Sequence, residues 1–200
     1  MANDYFELKA ESYDNDEKRV SNVDNIANSI LSSIAFNKNM HIMDFGSGTG
    51  LLLERVAPFV KKITAVDVSE SMTKQLSEKI NKLDYEVEIL QLDLTKTKLD
   101  IKFDAIISSM TLHHIKDTQA MFNDFYRMLN DNGVIAISDL DTEDGTFHTE
   151  DTGVFHFGFD RKEFQNKAIA AGFKNVKIIT ASIDEKPHGN YPVFLLTGNK

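Results

Sequence analysis

The sequence predicts a doubly wound α/β domain, a mostly parallel seven-stranded sheet flanked by helices. Three observations predict it. Short apolar runs alternate with amphipathic stretches through the first five strands, the pattern of right-handed βαβ units. Met40–Gly50, M-H-I-M-D-F-G-S-G-T-G, joins a strand buried on both faces to an acid and a glycine ladder that opens into a helix. Three strand-like runs end in acids, Asp44, Asp67 and Asp93, and in open α/β sheets ligands bind beyond those carboxyl ends.

Residues 1–22 are rich in charge, with Phe6, Ala10 and Tyr13 at roughly helical spacing, which suits a loose helix or an arm closing over a site. Val23, Ile26, Ala27, Ile30, Leu31 and Ile34 keep the i, i+3, i+4, i+7 pattern of a firmer helix, ended by Asn37–Asn39. The first strand holds Ile42, Met43 and Phe45, and Thr49 to Ala57 is read as the next helix, stopped near Pro58. Ile63–Val66 is the second strand. Ser69 or Ser71 caps a helix with Met72, Leu76 and Ile80 on one face. Val87–Leu92 and Phe103–Ser108 are the third and fourth strands. Asp117 or Thr118 caps a helix bearing Met121, Phe122, Phe125, Met128 and Leu129, expected to stop at Asn132-Gly133. Val134–Ser138 follows as a strand. Asp160, with Glu163 three positions on, opens a helix ended by Gly172, and Val176–Thr180 and Pro192–Thr197 complete the sheet.

Two hundred residues suit one domain, and 42% hydrophobic with 26% charged residues is ordinary for a soluble globular chain. A net charge of −9 argues against a phosphate backbone as partner, which needs clustered Lys and Arg. The absence of cysteine excludes disulfides, thiolate metal sites and cysteine nucleophiles. The N-terminus, M-A-N-D-Y-F-E-L-K, does not read as a signal peptide, no apolar run reaches membrane-spanning length, and the expected compartment is cytoplasmic.

The glycine loop is suited to an anionic or strongly polar group meeting helix N–H groups. Asp67 lies 23 residues beyond Asp44, about the offset at which an acid reaches ribose hydroxyls. A dinucleotide fingerprint needs glycines at the first, third and sixth places, and here the sixth is Leu51. Asp44, two residues before the first glycine, is awkward beside a pyrophosphate and suits an ammonium. A nicotinamide cofactor therefore stands behind a zwitterionic one.

D-F-G-S-G-T-G, V-D-V-S-E-S-M, L-D-L and F-D-A-I-I-S-S-M-T-L-H-H-I resemble successive motifs of class I S-adenosylmethionine-dependent methyltransferases. The resemblance spans residues 35–140 and is strongest to the small-molecule branch that includes ubiquinone- and menaquinone-biosynthesis enzymes. It implies the Rossmann-like methyltransferase fold, S-adenosyl-L-methionine as cofactor and a small-molecule methyl acceptor. Asp44 would face the methionyl ammonium, and Gly46, Ser47, Gly48 and Gly50 would cradle the methionine part. Asp67 would accept from the ribose hydroxyls, and Val68 and Met72 would pack on the adenosine. Asp93 would take the adenine amino group with Leu94 flanking the ring, and Ser108 and Ser109 would close the floor beneath the sulfonium. A domain that binds the cofactor without chemistry, as a sensor or partner subunit, is the reading of another class.

Methyl transfer from a sulfonium is an in-line displacement in which the protein contributes orientation and, where the acceptor still holds a proton, a base. Candidates are His113 and His114 after the fourth strand, and Asp139, Asp141, Glu143, Asp144, His148 and His156 after the fifth; His114, His148 and His156 are the catalytic choices. Asp141–Asp160 holds six acids, two histidines, four phenylalanines and no Lys or Arg. A connection this long is expected to be a lid or pocket wall over the methyl site, with a divalent-metal site or a cation-binding wall as other uses. Residues 1–35 would form a helical cap and 139–160 the substrate-side lid of a single domain spanning 1–200.

Overall fold

A computed structural model describes residues 4–80 and 85–200. Its seven strands form one sheet in the order β3-β2-β1-β4-β5-β7-β6. They are β1 (His41–Phe45), β2 (Lys62–Asp67), β3 (Glu86–Gln91), β4 (Phe103–Ser109), β5 (Leu129–Leu140), β6 (Lys174–Lys186) and β7 (Gly189–Asn199). β1 to β5 pair in parallel, while β7 runs antiparallel to both neighbours. Strand order reverses between β1 and β4, which opens a crevice at their carboxyl ends.

Successive side chains of a strand point to opposite faces, and here they feed two separate apolar layers. Ile42, Ile63, Ala65 and Ile107 pack with α1 (Glu17–Ser33), α2 (Leu51–Val56) and α3 (Glu70–Ile80). Met43, Phe45, Val66 and Ile106 pack with α4 (Thr118–Met128) and α5 (Arg161–Ala170), where Phe122, Phe125 and Phe164 are fully buried. Each layer buries the large side chains of adjacent elements, the main favourable term for a domain this size.

Boundaries differ from the sequence reading where a polar side chain or a tertiary contact decides them. α1 starts at Glu17 because Asp16 accepts hydrogen bonds from the Lys18 and Arg19 amides, a cap hidden by a solvent-facing first turn. α2 is shorter than Thr49 to Ala57: Gly50, at φ 89°, precedes its first residue, and Pro58 sits in a 3₁₀ turn, Ala57–Phe59. α4 ends at Met128, not at Asn132-Gly133. Leu129 is extended, buried and paired with Phe103, so the strand begins there and Asn132, at φ 64°, forms a turn inside it. The last two strands form a hairpin much longer than either run suggested.

The expected N-terminal arm begins outside the described residues. From Asp4 it runs through a 3₁₀ helix, Ala10–Asn15, and crosses the carboxyl ends of β1 and β2. Asp4 accepts from the Ser69 hydroxyl and the Ser71 amide at the start of α3, and Asp14 pairs with Lys79 and accepts from the Thr49 hydroxyl at 2.5 Å. No helix among the described residues is long and apolar enough to cross a membrane.

Candidate active site

Two cavities meet above the crevice. The larger, about 1050 Å³, is bounded by Asp67, Val68, Met72, Leu92 and Asp93 on the β2–β3 side and by the turn after β4. The smaller, about 250 Å³, takes in Asp44, Ser47, His113, His114 and His148. Phe6, Tyr13, Gly46, Gly48, Ser109, Met110 and His114 line both, so the arm and the partition between the cavities are shared.

The partition is built by backbone geometry. Gly46 has φ 71°, and a Cβ there would fall inside the Thr111 side chain, so the loop after β1 and the turn after β4 touch directly. Gly48, at φ 54°, faces open space, and its amide donates to Asp67 Oδ2 at 2.7 Å. Met110 has φ 54°, a strained left-handed conformation for an unbranched residue, held by its amide bond to the Ser138 carbonyl at 3.0 Å. Ser108 donates to the Phe45 carbonyl at 2.7 Å and ties the ends of β1 and β4 together.

Asp44 stands at the end of β1, 1% exposed, with Oδ2 lacking any hydrogen-bond partner. Burial, reinforced by the nearby Asp67 charge, pushes its carboxyl up to about 8. The Ser47 hydroxyl beside it on the same wall is also buried and unpartnered. Burial raises Asp67 as well, against the opposing hydrogen bonds from the Ser69 and Gly48 amides. A pocket that holds an uncompensated carboxyl pair favours a ligand with a positive charge and hydroxyl donors.

The sequence-derived cofactor residues are mostly brought together. Asp44, Gly46, Ser47, Gly48, Asp67, Val68, Met72, Asp93 and Ser109 line one cavity or both. Two do not. Gly50 is packed under Leu76, and Leu94 is buried in the α4 layer, with Leu92 on the cavity wall instead. Burial pushes Asp93 up, but hydrogen bonds from Lys96 and Thr95 outweigh it and hold the carboxyl low.

The smaller cavity gathers three imidazoles. Ring centroids lie 4.4 Å apart for His113 and His114, 5.2 Å for His113 and His148, and 6.1 Å for His114 and His148. Burial and the neighbouring His113 lower both His114 and His148 to about 4. His156 is not part of this group. Its Nε2 bonds to the Ile115 carbonyl at 3.0 Å, its ring lies 5.0 Å from Phe159, and it lines neither cavity.

Residues 141–160 cross the same side as an irregular segment tied at its base by Asp141 and Phe159. Its acids are spent on local structure. Asp141 grips Arg161 through two bonds of 2.6 and 2.8 Å, Glu143 accepts from the Gly145 and Phe147 amides, and Glu150 pairs with Lys9 of the arm at 2.6 Å. Asp144, Asp151 and Asp160 cap the turns and helix that follow them. Among the described residues no three His, Asp or Glu side chains are placed to hold a metal. Of its four phenylalanines, Phe155 and Phe157 are exposed; Phe159 is buried and Phe147 packs on Tyr191 at 5.1 Å.

Sequence reasoning missed Met110 on the cavity wall and Asp4, which ties the arm to the start of α3. The spacing of Phe6 and Tyr13 signalled an element there but not its target, and nothing in the sequence marks the Met110 backbone.

Fold and site together define a class: a doubly wound domain with an acid-lined crevice at its switch point. Residues 43–137 match the methyltransferase domain family. An uncharacterized methyltransferase of Schizosaccharomyces pombe is 31% identical over 194 residues, covering 89% of this chain and 66% of that protein. The malonyl-(acyl-carrier protein) O-methyltransferase of Bacillus anthracis is 29% identical over 174 residues, 80% of this chain and 58% of its own length. The chain thus spans 47% to 66% of the length of the first curated relatives it matches. The Haemonchus contortus phosphoethanolamine N-methyltransferase 2 in complex with S-adenosyl-L-methionine shares the fold at TM-score 0.73 and 17% identity, over 88% of this chain and 52% of that one. A chain of the Haloferax volcanii complex between the Trm112 methyltransferase activator and a methyltransferase superposes at TM-score 0.79 and 14% identity, covering 100% and 99%. Residues 43–137 thus carry a methyltransferase domain, and the sequence relatives and structural neighbours support a class I S-adenosylmethionine-dependent methyltransferase.

Proposed function

We propose that this chain transfers a methyl group from S-adenosylmethionine to a small-molecule acceptor in the cytoplasm. The observation that carries the reading is the buried, unpartnered Asp44 carboxyl beside the open face of Gly48. Asp44 would meet the methionyl ammonium, and the Ser47 hydroxyl and loop amides the carboxylate. Asp67 would accept from the ribose hydroxyls, its position already fixed by the Gly48 and Ser69 amides. Val68, Met72 and Leu92 would flank the adenosine, with Asp93 at the far wall of the larger cavity. Leu94 and Gly50 support these walls from behind.

When bound, the cofactor supplies a methyl group on a sulfonium that is already a reactive electrophile. The protein's share is to hold and orient it, exclude water and manage the acceptor's proton. Gly46, Ser109 and Met110 line both cavities, Asp44 and Ser47 share the smaller one with the histidines, and the arm and residues 141–160 would wall off the acceptor side. We assign these two segments as the cap and substrate-side lid of a single domain.

Two measurements test this. Calorimetry should show S-adenosylmethionine and S-adenosylhomocysteine binding, and methyl-labelled cofactor should label a component of a small-metabolite extract. Binding without acceptor-dependent turnover would favour a sensor or partner subunit; nicotinamide dinucleotide binding alone would overturn the family's cofactor here.

A further inference from the structure

We propose that His113, positioned by Asp139, takes the acceptor's proton during methyl transfer, and that the acceptor is a neutral molecule whose attacking atom still carries that proton. The proposal rests on the methyltransferase reading above and names a base that reading leaves open.

His113 sits in the 3₁₀ turn after β4, Leu112–His114, and is 1% exposed; Asp139, near the end of β5, is completely buried. The His113 Nδ1–H donates to Asp139 Oδ1 at 2.6 Å, and the His113 amide donates to Oδ2 at 3.1 Å. Oδ1 also accepts from the Leu140 amide at 2.8 Å. One carboxylate therefore fixes the ring through both its side chain and its backbone. A carboxylate on Nδ1 sets the tautomer and leaves Nε2 with its lone pair. Nε2 has no hydrogen-bond partner among the described residues, and His113 lines the smaller cavity.

The surrounding charges single out this ring. Facing it are His114 from the same turn and His148 from the crossing segment; Asp44 and the ion pairs Lys9–Glu150 and Lys186–Asp184 lie on the walls of the same cavity. Of the three tilted rings, only His113 has a carboxylate on its Nδ1 among the described residues. His114 and His148 are held neutral by burial and by His113, which makes them weak proton acceptors at neutral pH.

The step balances without another reactant. The attacking atom's lone pair forms the bond to the methyl carbon, the carbon–sulfur pair returns to sulfur, and the displaced proton passes to His113 Nε2. Asp139 offsets the imidazolium that results. An acceptor bearing an ammonium would place a second positive charge against it, with Lys9 and Lys186 already near, so a neutral acceptor fits.

Side-chain NMR on ¹⁵N-histidine protein with S-adenosylhomocysteine bound tests the assignment without an acceptor. At about pH 8 His113 should carry its proton on Nδ1 only, and Asp139→Asn should abolish that tautomer preference. A proton on Nε2 would overturn the proposal. In the extract assay His113→Asn, which keeps a donor toward Asp139, should lose about 10²–10⁴-fold in turnover while S-adenosylhomocysteine affinity stays within about threefold. Turnover within about threefold of the wild type would sink it. Wild-type protein that binds no S-adenosylhomocysteine would remove the methyltransferase reading and this proposal together; binding with the wrong tautomer removes the proposal alone.

Discussion

The two sides of the crevice are built on different terms. On the cofactor side, the polar groups stand at the ends of adjacent parallel strands, and several are left unsatisfied: Asp44 Oδ2 and the Ser47 hydroxyl have no partner. On the side of the histidines the carboxylates are largely tied down, from the Asp139–His113 pair to the acids of residues 141–160, while His148 Nε2, Glu143 Oε1 and Thr152 Oγ1 are buried without partners. Unsatisfied polar atoms stabilise a ligand at the expense of the empty protein, whereas satisfied ones fix a shape. The loop side is therefore set apart by Asp44, a buried carboxyl left without a partner, and the side of the histidines by carboxylates that fix its shape.

The comparison can be broken or sharpened by substitution, beginning with the largest effect. Gly46→Ala puts a Cβ into Thr111 at a left-handed backbone, and should cost about 2–4 kcal/mol of stability by overpacking and strain. Denaturant unfolding measures it; a loss under about 1 kcal/mol would mean the two walls are not in firm contact. Next, Asp67→Ala should weaken S-adenosylmethionine binding by roughly 1–3 kcal/mol, the order for charge-assisted hydrogen bonds lost in a folded protein. Unchanged affinity by calorimetry would contradict its assignment.

Asp44→Asn separates affinity from stability. Its folded carboxyl is pushed from the model-compound 3.8 up to about 8, so folding takes up a proton between those values and stability falls as pH rises through that window. The variant should remove that dependence, melt higher than the wild type at pH near 8 when unliganded, and bind the cofactor more weakly. The wild type should release a proton on binding an ammonium-bearing ligand near pH 7, visible as a buffer-dependent calorimetric enthalpy. A melting temperature lowered by Asp44→Asn at that pH would contradict the picture of a carboxyl held ready. The smallest effect is expected at Lys9→Ala, which breaks the half-exposed Lys9–Glu150 pair between arm and lid and should cost under about 1 kcal/mol.

The division also explains what could be read from the sequence. Asp44, the glycine loop, Asp67 and Asp93 each sit where a short run ends, so local pattern and strand order together place them. The Asp139–His113 bond joins residues 26 apart, and Asp4 reaches Ser69 across 65 residues. No local periodicity encodes such contacts. The end of α4 was misplaced for the same reason: Asn132-Gly133 is a good stop signal, but Leu129 is drawn into the sheet first. The histidines were recognised as a group of candidates, but which belonged together depended on the path of residues 141–160, which excludes His156 and admits His148.

The contact between Gly46 and Thr111 makes these two sides mechanically one part. The loop that would carry the methionyl group and the turn that carries the histidines have only the short Thr111 side chain between them to absorb a displacement. A cofactor that lifts or settles the loop by a fraction of an ångström passes that shift straight to the acceptor wall. Its fit is thus registered at the acceptor site before any second molecule arrives, and the missing Cβ at position 46 is what keeps that linkage stiff.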